Sequence, residues 1–399
     1  MGMLSISMQF SPNEDSRVST YAFHRGRHIL SDMETSEEPF SALNLHIVQA
    51  HLLLELHALL CSGGWNSAYG LRMHNKSVEL ARRGGLMEPY PTQPGATGDL
   101  DDLWRQFIGA ESHKRTLYAV HQLDVYWYHV LSLPRILSHL EIKHDLPCAE
   151  EMWLCRTSTE WAHRALVNNT NKSPRQYLAT VRECLAGTST FDASTLDSYG
   201  ALAVILFLSS SVREASGWST MTGRPCFERF EALRASLTMF EPLMESDHNG
   251  EPMSLLMQAT WHMSMIELHF WSASHINGVV EGSLDAALAA ATHLSISDAI
   301  CSSPDVVTSL EPHINFYLQH LDRRAILYDE APWVTIFAFK VALIAWQLVR
   351  AGFQETMAIP WISDEKGMYD WIKTVFTRRS HWCIGQLAVK SLGELLVRL

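Results

Sequence analysis

Twenty histidines in 399 residues make metal binding the first chemistry to test. His51 and Glu55 stand four apart, so on a helix they share a face and could clamp a cation, with His57 two residues further on. Glu267 and His269 stand two apart and diverge by about 200° on a helix. Neither spacing is HExxH, and neither is the ExxH of carboxylate-bridged di-iron bundles. The histidines therefore read as structural or surface groups. The sequence holds no GxSxG elbow, no GxGxxG and no P-loop. Gly84-Gly85 follows Arg82-Arg83, which reads as a glycine helix stop with basic residues at the negative end of the helix dipole, not as a phosphate cradle. The seven cysteines (Cys61, Cys148, Cys155, Cys184, Cys226, Cys301 and Cys383) form no CxxC pair. They read as reduced, buried thiols rather than as a disulfide framework or a zinc site.

Asp99, Asp101 and Asp102 form a second acidic candidate. The run loosely resembles the aspartate-rich Mg²⁺ motif of terpene cyclases, which are also all-α. It lacks the DDxxD spacing, however, and sits between a Gly/Pro-rich loop and Leu103-Trp104. Acids there cap a helix and complement its dipole. Thirteen tryptophans could line a ligand pocket but more often fill a helical core. An all-α enzyme acting on a hydrophobic metabolite, resting on His51, Glu55, His57 and the three aspartates, is the alternative reading. An inactive relic is the blander one.

The elements that would position these residues are helices. Val120, Leu123, Trp127, Val130 and Leu131 repeat at helical spacing, and Pro134 bends or ends that helix. Similar stripes run over 43–60, 66–83, 149–166, 192–212, 228–243, 254–271, 284–300, 306–321, 332–350 and 380–396. No strand-like alternation persists, so the fold class is all-α: a large multi-helix, bundle-like domain without significant β-sheet. Residues 1–38 are polar and mixed and read as a disordered lead-in. Residues 39–399 read as one helical domain, with a core over 39–165 and a C-terminal helical part over 166–399 packed on it. The apolar run 333–349 carries Lys340 and Gln347, and a central Lys costs about 2.5–3.5 kcal/mol on insertion scales, so it reads as a core helix and no membrane partner is expected.

Composition agrees. Hydrophobic residues make up 47% of the chain, enough for a sizeable core, and charged residues 19%. Lys plus Arg total 31 against 43 Asp plus Glu, a net charge of −12, which repels a phosphate backbone. The pairs Arg82-Arg83, Arg323-Arg324 and Arg378-Arg379 fall short of a nuclear signal and read as solvated faces.

Three segments in register carry a resemblance. The first runs from Gly63-Gly64-Trp65 to Arg82-Arg83-Gly84-Gly85-Leu86. The second holds Trp104, Glu111, Arg115 and Asp124. The third is Leu146-Pro147 followed by Trp153. Together they resemble the fungal-specific transcription factor domain, or middle homology region. The tail, with Trp333, Trp346 and the stretch from Trp371 to Leu396, resembles the members with Cys₂His₂ finger heads. The resemblance spans about 40–399. It implies Trp65, Gly85, Trp104, Glu111, Arg115, Asp124, Pro147, Trp153, Trp333 and Trp346 as structural motif positions, with no catalytic, cofactor or metal residue in this chain. It also implies transcription regulation in a nucleus, with zinc and DNA binding supplied by a head that these residues do not contain. Protein partners or a homodimer, a possible small-molecule effector and only indirect contact with DNA follow as expectations.

Overall fold

The computed structural model describes the chain except residues 8–15, 36–44, 62–64, 91–98, 168–173, 188–190, 216–226, 246–251, 270–280, 294–303, 324–329, 354–358, 360–361, 363 and 397–399. The first half holds α1 (Gly2–Ser7), α2 (Ser16–Thr35), α3 (Leu45–Leu56), α4 (Trp65–Arg83), α5 (Leu100–Leu131), α6 (Glu150–Trp153), α7 (Ser158–Val167) and α8 (Tyr177–Leu185). The second holds α9 (Ser198–Arg213), α10 (Phe227–Thr238), α11 (Glu241–Glu245), α12 (Pro252–His269), α13 (Leu284–Ala291), α14 (Pro304–Asp322), α15 (Pro332–Arg350), α16 (Glu365–Arg378) and α17 (Cys383–Leu396). The fold is all-α. Among the described residues the extended backbone contributes one isolated bridge, Asp145 to Gln176.

The termini of α5 show how local sequence sets the elements. Asp99 caps it by accepting from the Asp101 amide at 3.1 Å, and Asp101 and Asp102 stand in its positive first turn. The aspartate run is thus a helix start: Asp102 pairs with Arg105 and Asp101 with the Ser158 hydroxyl, so the three acids do not converge. At the other end Ser132 takes φ 57°, and Pro134 keeps the residue before it out of the helical region. Gly85, at φ +72°, closes α4, with the Leu86 amide donating to Ala81 and the Gly84 amide to Leu80.

α9 and α15 are apolar on nearly every face, so both must lie inside other helices. α9 packs chiefly on α12, and α15 is enclosed by α12, α14, α16 and α17. α15 is long and apolar enough to cross a membrane, and it is mostly buried within the fold. The last turns of α5, from Thr116 onward, enter the same core. One contiguous hydrophobic cluster runs from Phe23 to Leu395.

Two sequence expectations need correction. The lead-in expected to be disordered instead carries α1 and α2, which pack on each other and on α3. Ala22 and Phe23 are fully buried, and the Phe23 ring stacks on His57 at 4.6 Å. α2 is polar in composition and owes its place to this narrow apolar stripe. Arg379, expected on a solvated face, is 2% exposed, with its guanidinium 3.6 Å from Glu330 and donating to the carbonyls of Leu321 and Val375.

Candidate functional site

The first metal candidate dissolves in the structure. His51 and Glu55 do share a face of α3, but His51 Nδ1 lies 3.0 Å from Met73 Sδ. His57 Nε2 lies 3.0 Å from the Ser19 hydroxyl. Glu55 turns to α4 and α5 instead. Its Oε1 is 3.0 Å from His74 Nδ1 and accepts from Trp127 Nε1 at 2.5 Å. Glu267 and His269 also part: Glu267 faces His129 and Arg213, while His269 Nε2 lies 3.4 Å from Ser309. Among the described residues no group of three or more His, Cys, Asp and Glu side chains is placed to hold a metal ion.

What the structure assembles is a buried charge lattice on α5. His74 Nε2 lies 3.1 Å from Asp124 Oδ1, so the ring bridges two carboxylates, and all three residues are almost fully buried. Burial works to lower the His74 pKa, but hydrogen bonds to Asp124 and Glu55, with their charges, outweigh it and raise it to about 9. A ring whose two nitrogens face carboxylates donates from both and is an imidazolium. It has no lone pair left to take a proton, so it cannot serve as a general base. Asp124 also accepts from the Ile136 and Leu137 amides at 2.9 and 3.1 Å. The lattice therefore pins α3, α4, α5 and the turn after Pro134 together.

A second latch joins α5 to the segment 146–153. Glu111 accepts from Arg115 Nε at 3.0 Å, from Lys114 at 2.8 Å and from the Cys148 amide at 2.9 Å. Burial alone would raise its pKa, and these donors instead hold it below the usual carboxylate range. Arg115 donates onward to Glu150 and the Cys148 carbonyl, and its guanidinium lies over Trp153 at 4.8 Å and Tyr199 at 5.1 Å. As an exposed i,i+4 pair Glu111 and Arg115 would contribute only about 0.2–0.5 kcal/mol. Here the pair is inside the fold and fully hydrogen-bonded.

Of the motif positions, Glu111, Arg115 and Trp153 thus meet in one latch, with Pro147 buried beside them. Asp124 belongs to the lattice. Trp333 stacks on Tyr126 at 4.6 Å and meets Trp127 edge-on at 4.8 Å. Trp346 is buried on α15, with Arg350 over its ring at 5.9 Å, and Trp104 is half-buried on α5. Gly85 ends α4. Trp65 opens α4, and its side chain lies outside the described residues.

Sequence reasoning missed His74, the centre of the lattice, because its partners lie 19 and 50 residues away. It also missed a third buried network. Glu267 takes His129 at 3.2 Å and Arg213 at 3.4 Å, while Lys340 of α15 donates to the His129 carbonyl at 2.8 Å. Burial opposes ionisation of Glu267, yet His129, Arg213 and Lys340 bring its pKa down to about 2; burial lowers that of Lys340 to about 8. Lys340 inside an apolar helix was the sequence signal for it.

The lattice, and the latch apart from Tyr199, fall within one matched stretch. The model of the fungal specific transcription factor domain matches residues 2–187, just under half of the chain. Residues 2–187 are therefore similar to a fungal specific transcription factor domain. The match begins at α1, well before residue 40, which agrees with a folded N-terminal segment. The tail with Trp333 and Trp346 lies beyond it. Over 125 residues the chain is 26% identical to the nicotinate catabolism cluster-specific transcription factor of Emericella nidulans. That alignment takes 30% of this chain and 14% of the relative, so the chain matches only a small part of the relative's length. No solved structure matches.

Proposed function

We propose that this chain is the regulatory body of a fungal transcription factor controlling RNA polymerase II transcription. The observation that carries the reading is the domain match over the same residues whose charged side chains are spent on one another. In the domain, Glu55, His74, Asp124, Glu111 and Arg115 hold helices in place. The body would bias a zinc-bearing head supplied in cis or in trans, act in the nucleus, and take protein partners or a second copy of itself. Contact with DNA would be indirect, which suits its −12 net charge. The enzyme reading loses its motive here, because His51, Glu55, His57 and the three aspartates are each engaged separately. The test is a tethered reporter: the full chain fused to a heterologous DNA-binding domain is brought to a promoter. Altered transcription relative to the DNA-binding domain alone supports a regulatory body. A reporter unmoved by a folded, nuclear fusion contradicts it.

A further inference from the structure

A cavity of about 180 Å³ lies between the two ends of the chain, walled by α1, the π-helical turn His57–Cys61 that continues α3, and the N-termini of α15 and α17. Its lining is almost wholly apolar: Ile6, Leu56 and Leu60 on one side, Trp333, Trp382 and Ile384 on the other. Among the described residues no charged side chain lines it. Cys61 and Cys383 supply its remaining sulfur surface. Burial pushes both thiols up, Cys61 to about 12, so they present neutral S–H groups. Water in such a space finds few hydrogen-bond partners, and an apolar cavity of about 150 Å³ in another protein stays dry and binds benzene. This cavity is larger and partly open, which gives a ligand a way in.

We propose that this cavity is a binding site for a compact, uncharged aromatic molecule about the size of indole. Trp333 and Trp382 place two indole rings in the wall, which offers the aromatic contacts such a ligand takes. A carboxylate-bearing ligand would lose its hydration with no counter-charge to replace it, so the site discriminates against aromatic acids. The walls come from both sides of residue 187. A bound ligand would therefore bridge the matched domain and the C-terminal helices. Trp333 meets Trp127 edge-on at 4.8 Å, and Trp127 donates to Glu55, so the cavity wall touches the charge lattice directly. The regulatory consequence of binding rests on the function proposed above; the binding itself does not.

The test uses the purified full chain. Indole and toluene are titrated by calorimetry and thermal shift, with benzoate as the charged counterpart. Indole and toluene should bind saturably and raise Tm, and benzoate should do neither. Leu60→Trp, which fills the cavity, should weaken indole binding at least tenfold. Should that variant not fold, Ile6→Trp at a half-buried wall position carries the same expectation. No binding of either uncharged probe up to its solubility, benzoate binding as tightly as toluene, or unchanged indole affinity in a folded filled variant would each overturn the site. Binding with a tethered reporter that never alters transcription leaves the site standing and sinks the regulatory reading. An active reporter without binding does the reverse.

Discussion

At the scale of single residues, the chemistry of this protein is turned inward. His74 sits between Glu55 and Asp124 as a clamped cation, and neither carboxylate is left to face a substrate. Removing one member strands the other charges in a medium that solvates them poorly, which costs about 3–5 kcal/mol for a buried pair. Asp124→Ala should therefore destabilise the chain by that amount, since it also orphans the Ile136 and Leu137 amides. Urea unfolding measures it, and a loss below about 1 kcal/mol would show that the lattice is dispensable. The same geometry gives a pH signature. The His74 pKa is raised from 6.5 to about 9, so its contribution is complete below 6.5 and is lost as pH rises through 9. His51, His57 and His121 are buried and lowered to about 4, so each favours the folded state above 6.5 and loses that contribution as pH falls towards 4. Each is worth on the order of 1 kcal/mol per pH unit in its window. Tm should peak near neutrality, and His74→Gln should flatten the alkaline arm while sparing the acid one. A profile flat from pH 4 to 9 would contradict the assignment.

At the scale of elements, α2 is the sharpest lesson. Its composition is polar, yet Ala22 and Phe23 are wholly buried, Phe23 against His57 of the π-turn. Phe23→Ala should cost about 3–5 kcal/mol, as for a large core aromatic. If Tm is unchanged, the N-terminal helices are not part of the cooperative unit. Much of the fold was legible beforehand because helical spacing and breakers are local. The stripe ending at Leu131, the cap at Asp99, the glycine stop at Gly85 and the buried helix with Lys340 were all visible in the sequence. What was not legible was pairing across distance. Nothing local tells Glu55 to seek His74 rather than His51, or Arg379 to turn in towards Glu330. α2 was missed for a related reason: one narrow stripe in a polar helix is decided by what lies opposite. The cavity was half visible, in that tryptophans were weighed as core or pocket wall, and Trp333 is both.

At the scale of the whole molecule, charged latches inside an acidic helical body suit the regulatory role proposed above. The relative from Emericella nidulans is a transcription factor that shares only a segment with this chain, so target genes have to come from the cell. The measurement that tests the regulatory account most directly is chromatin immunoprecipitation of the native protein, tagged at its own locus and sequenced genome-wide. The account predicts reproducible enrichment at a set of promoters, with transcription of the neighbouring genes changed when the chain is removed. A well-expressed, folded protein with no promoter enrichment above an untagged control would contradict it.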